Sequence, residues 1–443
     1  MEVDIQQTAV IRPIKPPFDS DHVLSLSHLD TDRNLLVTLR YLRVYSDARH
    51  QQRDPFSLIT AALSAALIRY YPFSGTLRLR QSDGRLELYC KAGDGVPVVS
   101  AVVNSPLSLV NYLDADKDDN FANKLVPDPD PNEDPIRPMT LQVTRFSCGG
   151  FVLGAAVHHG ICDGLGATLF FNAMAELARG AGQITIDPVW NRTTLLGPRN
   201  PPRVEFPIQE FLSLDRDFSP YKSSGKRVIR QCLDVKEEWV EELKGLLYKQ
   251  SGFKFTTFEA LGAFIWRART KASRVPQDER VTFAYSINIR RVINPPLPAG
   301  YWGNGCVPMY VHLAAVEVAE QPIWKTADSI KKSKQNATHE YVSSFIDFQE
   351  LHYEQGITAG RKVSGFTDWR HLGHSTVDFG WGGPVAVVPL STRLLGSVEP
   401  CFFLPGNEGM IRVLAYLEED AILAFRLEMD KLKNMESGLL SAI

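Results

Sequence analysis

The stretch His158-His159-Gly160-Ile161-Cys162-Asp163-Gly164 decides how the chain is read. Upstream of it, Phe151 to Val157 is an unbroken small and apolar run that predicts a buried strand, and Leu141 to Ser147 predicts its neighbour, with Gly149-Gly150 as the turn. Downstream, Leu165, Leu169, Phe170, Ala173, Met174 and Leu177 recur at helical spacing, and Arg179-Gly180 closes that helix. Two histidines and an aspartate therefore sit on a loop between a strand end and a helix start. A rigid scaffold can hold such a loop and present a side chain to a cleft.

An imidazole titrates near neutral pH, so a histidine placed here suits general-base work. His159 reads either as that base or as a core histidine bonded to a backbone carbonyl. Asp163, four residues on, reads either as the third member of a triad that orients the imidazole or as a loop anchor paired with an arginine. Metal ligation is not expected. Adjacent histidines on an extended chain face opposite ways, and no thiolate pair or HExxH helix completes a zinc site. No GxSxG elbow supplies a nucleophile, and the charge of Asp163 beside Cys162 would raise a thiol pKa, the reverse of activation. The expected chemistry is direct attack by an acceptor that His159 deprotonates, with no covalent enzyme intermediate.

The rest of the chain frames this loop. A chain of 443 residues exceeds the size of one hydrophobic core, so two domains are expected. We place an N-terminal domain at 1–180, a crossover at 181–224 that is rich in proline, and a C-terminal domain at 225–443. With 44% hydrophobic and 22% charged residues the composition is that of a globular protein, and the net charge of −3 argues against nucleic acid as a partner. The six cysteines are scattered without CxxC spacing and read as free thiols of a reducing compartment. Residues 1–15 carry no long apolar run, no stretch is long and apolar enough to span a membrane, and a cytosolic monomer is expected.

Asp54-Pro55 predicts a helix start, and Asp83-Gly84 predicts the turn of a hairpin over Arg78 to Lys91. Residues 113–138, with an acidic run from Asp114 to Asp119, read as a surface loop. Lys236 to Lys249 and Thr257 to Lys271 read as helices. Two glycine-bearing segments stand out downstream. Asn294 to Asn304 reads as a rigid loop, and Asp378-Phe379-Gly380-Trp381-Gly382 as a tight backbone feature that locks two elements together.

His159 to Asp163 as HxxxD, joined to an unaltered DFGWG at Asp378 to Gly382, resembles the plant BAHD acyl-CoA-dependent acyltransferase family. Tyr70 to Gly75, Val143 to Gly150 and Asn294 to Asn304 carry the same resemblance in the family's order. The resemblance implies an α/β (α+β) fold of two chloramphenicol-acetyltransferase-like domains, each a mixed sheet flanked by helices, with a channel between them. It implies His159 as general base and acyl-CoA as cosubstrate, with no bound cofactor. It also implies a small alcohol or amine acceptor as the partner. Trp381 is implied as a support of the oxyanion or channel. Asp163 is implied as a loop anchor paired with Arg290, and Asp378, Gly380 and Gly382 as structural. Asn288 stands where the family usually has an aspartate two positions before that arginine. The general look of the sequence leans toward a hydroxycinnamoyl or benzoyl donor. The alternatives are an acetyl-CoA-dependent O-acetyltransferase of the same family, a non-catalytic ligand-binding homologue, and a condensation-domain-like enzyme, since His158 also completes HHxxxDG.

Overall fold

The structure is a computed structural model and describes residues 2–46, 53–109, 121–128, 135–221 and 225–433. The chain divides into two compact units: Met1–Pro201, Pro295–Cys306 and His371–Ser391 form the first, and Pro202–Asn294, Val307–Arg370 and Thr392–Ile443 the second.

The first unit is built on a mixed six-stranded sheet. Its strands run in the order Asp4–Ile11, Val96–Val103, Met139–Phe146, Phe151–His158, Thr38–Tyr45, Ala386–Pro389. Val96–Val103 and Met139–Phe146 run parallel; every other neighbouring pair in this sheet is antiparallel. Phe151–His158 is buried at every position, which explains its near-continuous apolar composition: a strand covered on both faces does not alternate. Gly154 lies where a Cβ would come within 2.0 Å of the Leu125 carbonyl oxygen, so only glycine lets that backbone pass over the strand.

The Pro55–Ala66 helix packs with the Gly164–Ala178 helix. It begins as expected at Asp54, whose carboxylate accepts from Ser57 N at 2.9 Å. The hairpin expected around Asp83-Gly84 is present as Thr76–Leu79 and Leu86–Cys90, with His22–Ser25 added as a third strand.

The second unit is a mixed six-stranded sheet in the order Val228–Lys236, Met410–Glu418, Cys401–Pro405, Val363–Asp368, Arg280–Asn288, Cys306–Ala314. The Thr257–Ala272 helix starts with a capping box between Thr256 and Glu259. It is almost wholly buried, with Ile323–Gln335, Ile422–Lys433 and Glu237–Ser251 packed against it.

Two expectations need correction. The first concerns the domain division. Residues 295–306 and 371–391 fall in the first unit, so Asp378 to Gly382 does not belong to a C-terminal domain at 225–443. The physical reason is strand pairing: Ala386–Pro389 completes the first sheet antiparallel to Thr38–Tyr45, and so draws the preceding glycine-rich segment with it. The second concerns 113–138. The acidic run Asp114 to Asp119 lies outside the described residues, but Phe121, Ala122, Leu125 and Val126 are buried against Val152 and Ala156 in the first unit's core. Their apolar spacing within a polar stretch was the signal that a surface loop does not explain.

Candidate active site

The site grows from the end of the Phe151–His158 strand. His158 pairs with Thr38, and His159 N donates to the Val37 carbonyl at 2.8 Å, which extends the strand by one residue. The chain then turns, Ile161 N donating to His158 O, and enters the Gly164–Ala178 helix. Asp163 sits at the N-cap of that helix. Its Oδ1 accepts from Gly166 N at 2.8 Å, and its Oδ2 accepts from Gly305 N at 3.0 Å. Gly166 approaches the Trp302 carbonyl so closely that a Cβ would lie 2.0 Å from that oxygen. The loop is therefore clamped between its own helix and residues 302–305.

The two histidines are in different states. His158 Nδ1 accepts from Gly160 N at 3.1 Å, so its proton sits on Nε2 and the ring is neutral. Burial, helped by His159 nearby, pushes its pKa down to about 4. His159 is also buried, and burial lowers its pKa; Asp163, its own main chain, Asp30 and the Asn304 side chain act in the opposite direction. Its Nδ1 is fully buried and makes no hydrogen bond of good geometry, with its own carbonyl and the Asn304 side chain as the hydrogen-bond partners that act on the ring, and Nε2 is the accessible nitrogen. A neutral imidazole with a free Nε2 lone pair can take a proton from an acceptor.

A buried polar cluster, invisible in the sequence reading, stands behind His159. Asp30 Oδ2 accepts from Ser27 N and Oγ at 2.9 and 2.8 Å and meets Arg192 Nη1 at 3.2 Å, both ion-pair side chains being fully buried. Asp30 Oδ1 accepts from Asn304 N and Nδ2 at 3.0 and 2.8 Å. Asn304 Nδ2 also donates to His159 O at 2.7 Å. The Arg192 guanidinium lies over the rings of Trp190 and Trp302, which partly offsets the cost of burying it. Only Asn304 was within a segment marked by its composition. Asp30 and Arg192 carried no local signal, because their partners are distant in sequence.

Within the first unit the structure brings His159, Asp163 and Asn304 together. Arg290 belongs to the second unit, in the turn after Arg280–Asn288, where its N–H donates to Asn288 Oδ1 at 3.1 Å. Asn288 thus supplies the turn acceptor that an aspartate would. Asp378 Oδ1 accepts from Gly380 N and Gly382 N at 2.7 and 2.8 Å, with both glycines at positive φ, +113° and +92°. Tyr45 Oη donates to the Val377 carbonyl at 3.0 Å.

Trp381 requires a correction. It packs edge-on against Phe151, at the opposite end of the strand from His159. Seven or eight extended residues separate those ends, roughly 20–25 Å. The indole Nε1 is buried and does not reach the imidazole, so Trp381 is not an oxyanion donor. The segment braces the first sheet. Among the described residues no three His, Cys, Asp or Glu side chains converge as a metal site, and no helix is long and apolar enough to cross a membrane.

The histidines also set an expected pH response. In the folded chain His158 and His312 titrate near 4 and His374 near 3, all lowered first by burial. Unfolded, each titrates near 6.5. The unfolded chain therefore binds protons first on acidification, and stability present above pH 6.5 is lost progressively toward pH 4. Thermal melts should show a plateau above neutrality and a falling midpoint below it. A midpoint constant from pH 7.5 to 5 would contradict this.

The sequence model of the Transferase family matches residues 1–432. The chain is 33% identical over 437 residues to a spermidine coumaroyl-CoA acyltransferase of Arabidopsis thaliana, covering 94% of this chain and 93% of that one. It is 32% identical over 447 residues to a spermidine sinapoyl-CoA acyltransferase of Arabidopsis thaliana, covering 97% of each. Its fold is similar to the crystal structure of vinorine synthase, with a TM-score of 0.74 at 20% identity over 97% of this chain and 98% of that one. With HxxxD and DFGWG in place and relatives matching along nearly the whole length, the chain belongs to the plant BAHD family of acyl-CoA-dependent acyltransferases.

Proposed function

We propose that this enzyme moves a hydroxycinnamoyl group from its CoA thioester to an amine of a polyamine, with His159 as general base. The observation that carries the mechanism is the neutral, buried imidazole of His159 at the strand end, with Nε2 as its accessible nitrogen. The acceptor nitrogen attacks the thioester carbonyl and gives a proton to Nε2. The tetrahedral intermediate collapses, the carbon–sulfur bond breaks, and Nε2–H returns the proton to the CoA thiolate. An amide and free CoA leave, and the imidazole is neutral again. A hydroxyl acceptor follows the same course to an ester.

Acyl-CoA acts here as a cosubstrate, and no resident cofactor is required by this sequence of steps. The acyl and acceptor classes follow the two Arabidopsis relatives, whose names carry spermidine with coumaroyl-CoA and sinapoyl-CoA. We assign the enzyme to the cytosol as a monomer; its six unbridged cysteines support a reducing compartment.

The test is a panel of acyl-CoA donors crossed with polyamine and alcohol acceptors, read by mass spectrometry of the products. Coumaroyl-CoA and sinapoyl-CoA should give mono- and higher acylated spermidine. Inert aromatic donors alongside active acetyl-CoA would overturn the donor assignment, and esters formed without amides would overturn the acceptor.

A further inference from the structure

The unsolved question at this site is what holds the imidazole in the tautomer that the proposed reaction needs. For Nε2 to carry the lone pair, the proton must sit on Nδ1, and a buried N–H requires an acceptor. In a triad a carboxylate serves that role. Here the two carboxylate oxygens of Asp163 meet main-chain N–H groups, at Gly166 and Gly305. The pairing that the HxxxD spacing suggests is not the one the loop makes.

A different acceptor is close at hand. The Asn304 carboxamide already grips His159, since Nδ2 donates to the His159 carbonyl at 2.7 Å. Its second hydrogen goes to Asp30 Oδ1 at 2.8 Å. Both partners are obligate acceptors, so the amide cannot be flipped without losing both bonds, and Oδ1 is the atom left over. Asn304 Oδ1 and His159 Nδ1 are both buried and neither completes a hydrogen bond of good geometry, yet the His159 carbonyl and the Asn304 side chain both act on the ring as hydrogen-bond partners. One acceptor and one donor without a well-formed bond thus belong to two side chains that are already joined through the main chain.

We propose that Asn304 is the positioning residue for the base: its Oδ1 accepts from His159 Nδ1–H during turnover, and Asp30 holds the carboxamide in that orientation. Catalytic hydrogen bonds that are loose without substrate commonly tighten in the productive complex. Asp30 is itself fixed by Ser27 and Arg192, so the chain Arg192–Asp30–Asn304–His159 is anchored at its far end. Among the described residues of the first unit, the charged and titratable groups that act on or flank the imidazole are Asp163 on its own loop, Asp30 with Arg192 behind it, and His158 beside it. Asp163, Asp30 and Asn304 all favour its protonated form.

This inference rests on His159 being the base, and the experiment separates the two claims. Asn304→Ala keeps the main-chain N–H that partners Asp30 and removes the carboxamide. It should lower kcat by at least about tenfold, because tautomer control is lost, while KM for both substrates changes little. The acid limb of the kcat profile should move to lower pH, since a group favouring protonation is gone. Unchanged kcat with an unmoved acid limb would overturn the proposal, as would a loss of folded protein whose remaining active fraction turns over normally. His159→Ala serves as the control: if it retains turnover, the base assignment itself fails. If it is inert while Asn304→Ala is normal, only the present inference fails. Should Asn304→Ala not fold, the side-chain ¹⁵N shifts of His159 in the native enzyme with CoA decide the matter. An Nδ1–H whose proton is in contact with the Asn304 carboxamide is the expected signature; an Nδ1–H without that contact overturns the proposal and spares the base assignment, and an Nε2–H tautomer overturns both.

Discussion

His159→Ala should abolish nearly all turnover while leaving a folded protein. A positioned general base contributes about 10²- to 10⁴-fold, equivalent to about 3–5 kcal/mol in the activation barrier. The expectation of intact folding comes from the bonds His159 makes. Its N–H to Val37 O and its carbonyl to Asn304 Nδ2 are main-chain contacts and survive truncation. The imidazole Nδ1 has no well-formed hydrogen bond to lose, only the looser influence of its own carbonyl and of Asn304. Truncation also removes a buried ionisable ring, so the acid limb of the rate profile should vanish from whatever residual activity remains. The measurement is kcat beside a thermal melt on the same preparation. Turnover within tenfold of native, in a protein that melts normally, would remove His159 from the mechanism.

Much of the site's local frame was legible because it depends on contiguous residues. The Phe151–His158 strand announced itself as an apolar run, and the following helix as a 3.6-residue stripe closed by Arg179-Gly180. The capping aspartate at position 54 and the Asp83-Gly84 turn were read from chemistry confined to a few residues. What failed to appear was set by pairing across the chain. Nothing near Asp378 shows that Ala386–Pro389 will join Thr38–Tyr45, so the DFGWG segment was placed in the wrong half. The same ignorance put Trp381 near the chemistry, when its packing partner is Phe151 at the far end of the strand that leads to His159. Asp30, Arg192 and Asn304 stayed hidden for a related reason. A buried ion pair is recognisable only once its desolvation is known, and no periodicity in Ser27 to Asn34 reports it. Asp163 lay between these extremes: the sequence supplied its two alternatives, orienter and anchor, and could not weigh them.

Asp163→Ala should therefore act first on stability. The change removes the N-cap of the Gly164–Ala178 helix, at a cost of about 1 kcal/mol. It also strands the buried Gly305 N–H, and an unsatisfied buried donor costs about 1–3 kcal/mol. The two losses fall on opposite sides of the loop that carries His159, so a combined cost of about 2–4 kcal/mol is expected, seen as a lower melting temperature and a lower urea midpoint. Asp163→Asn should be nearly as damaging. Its single carbonyl oxygen can keep one of the two bonds, and its amide then points a donor at the other N–H. Correctly folded molecules should nonetheless retain most of the native kcat, with the acid limb shifted to lower pH because the carboxylate favours imidazole protonation. The outcome that contradicts this is specific: a normal melting temperature with kcat lower by 10³-fold or more would make Asp163 the triad-type orienter and would take that role away from Asn304. Measuring folded fraction, kcat and the acid limb on each Asp163 variant separates the two, since an anchor lowers the first and spares the second, whereas an orienter does the reverse.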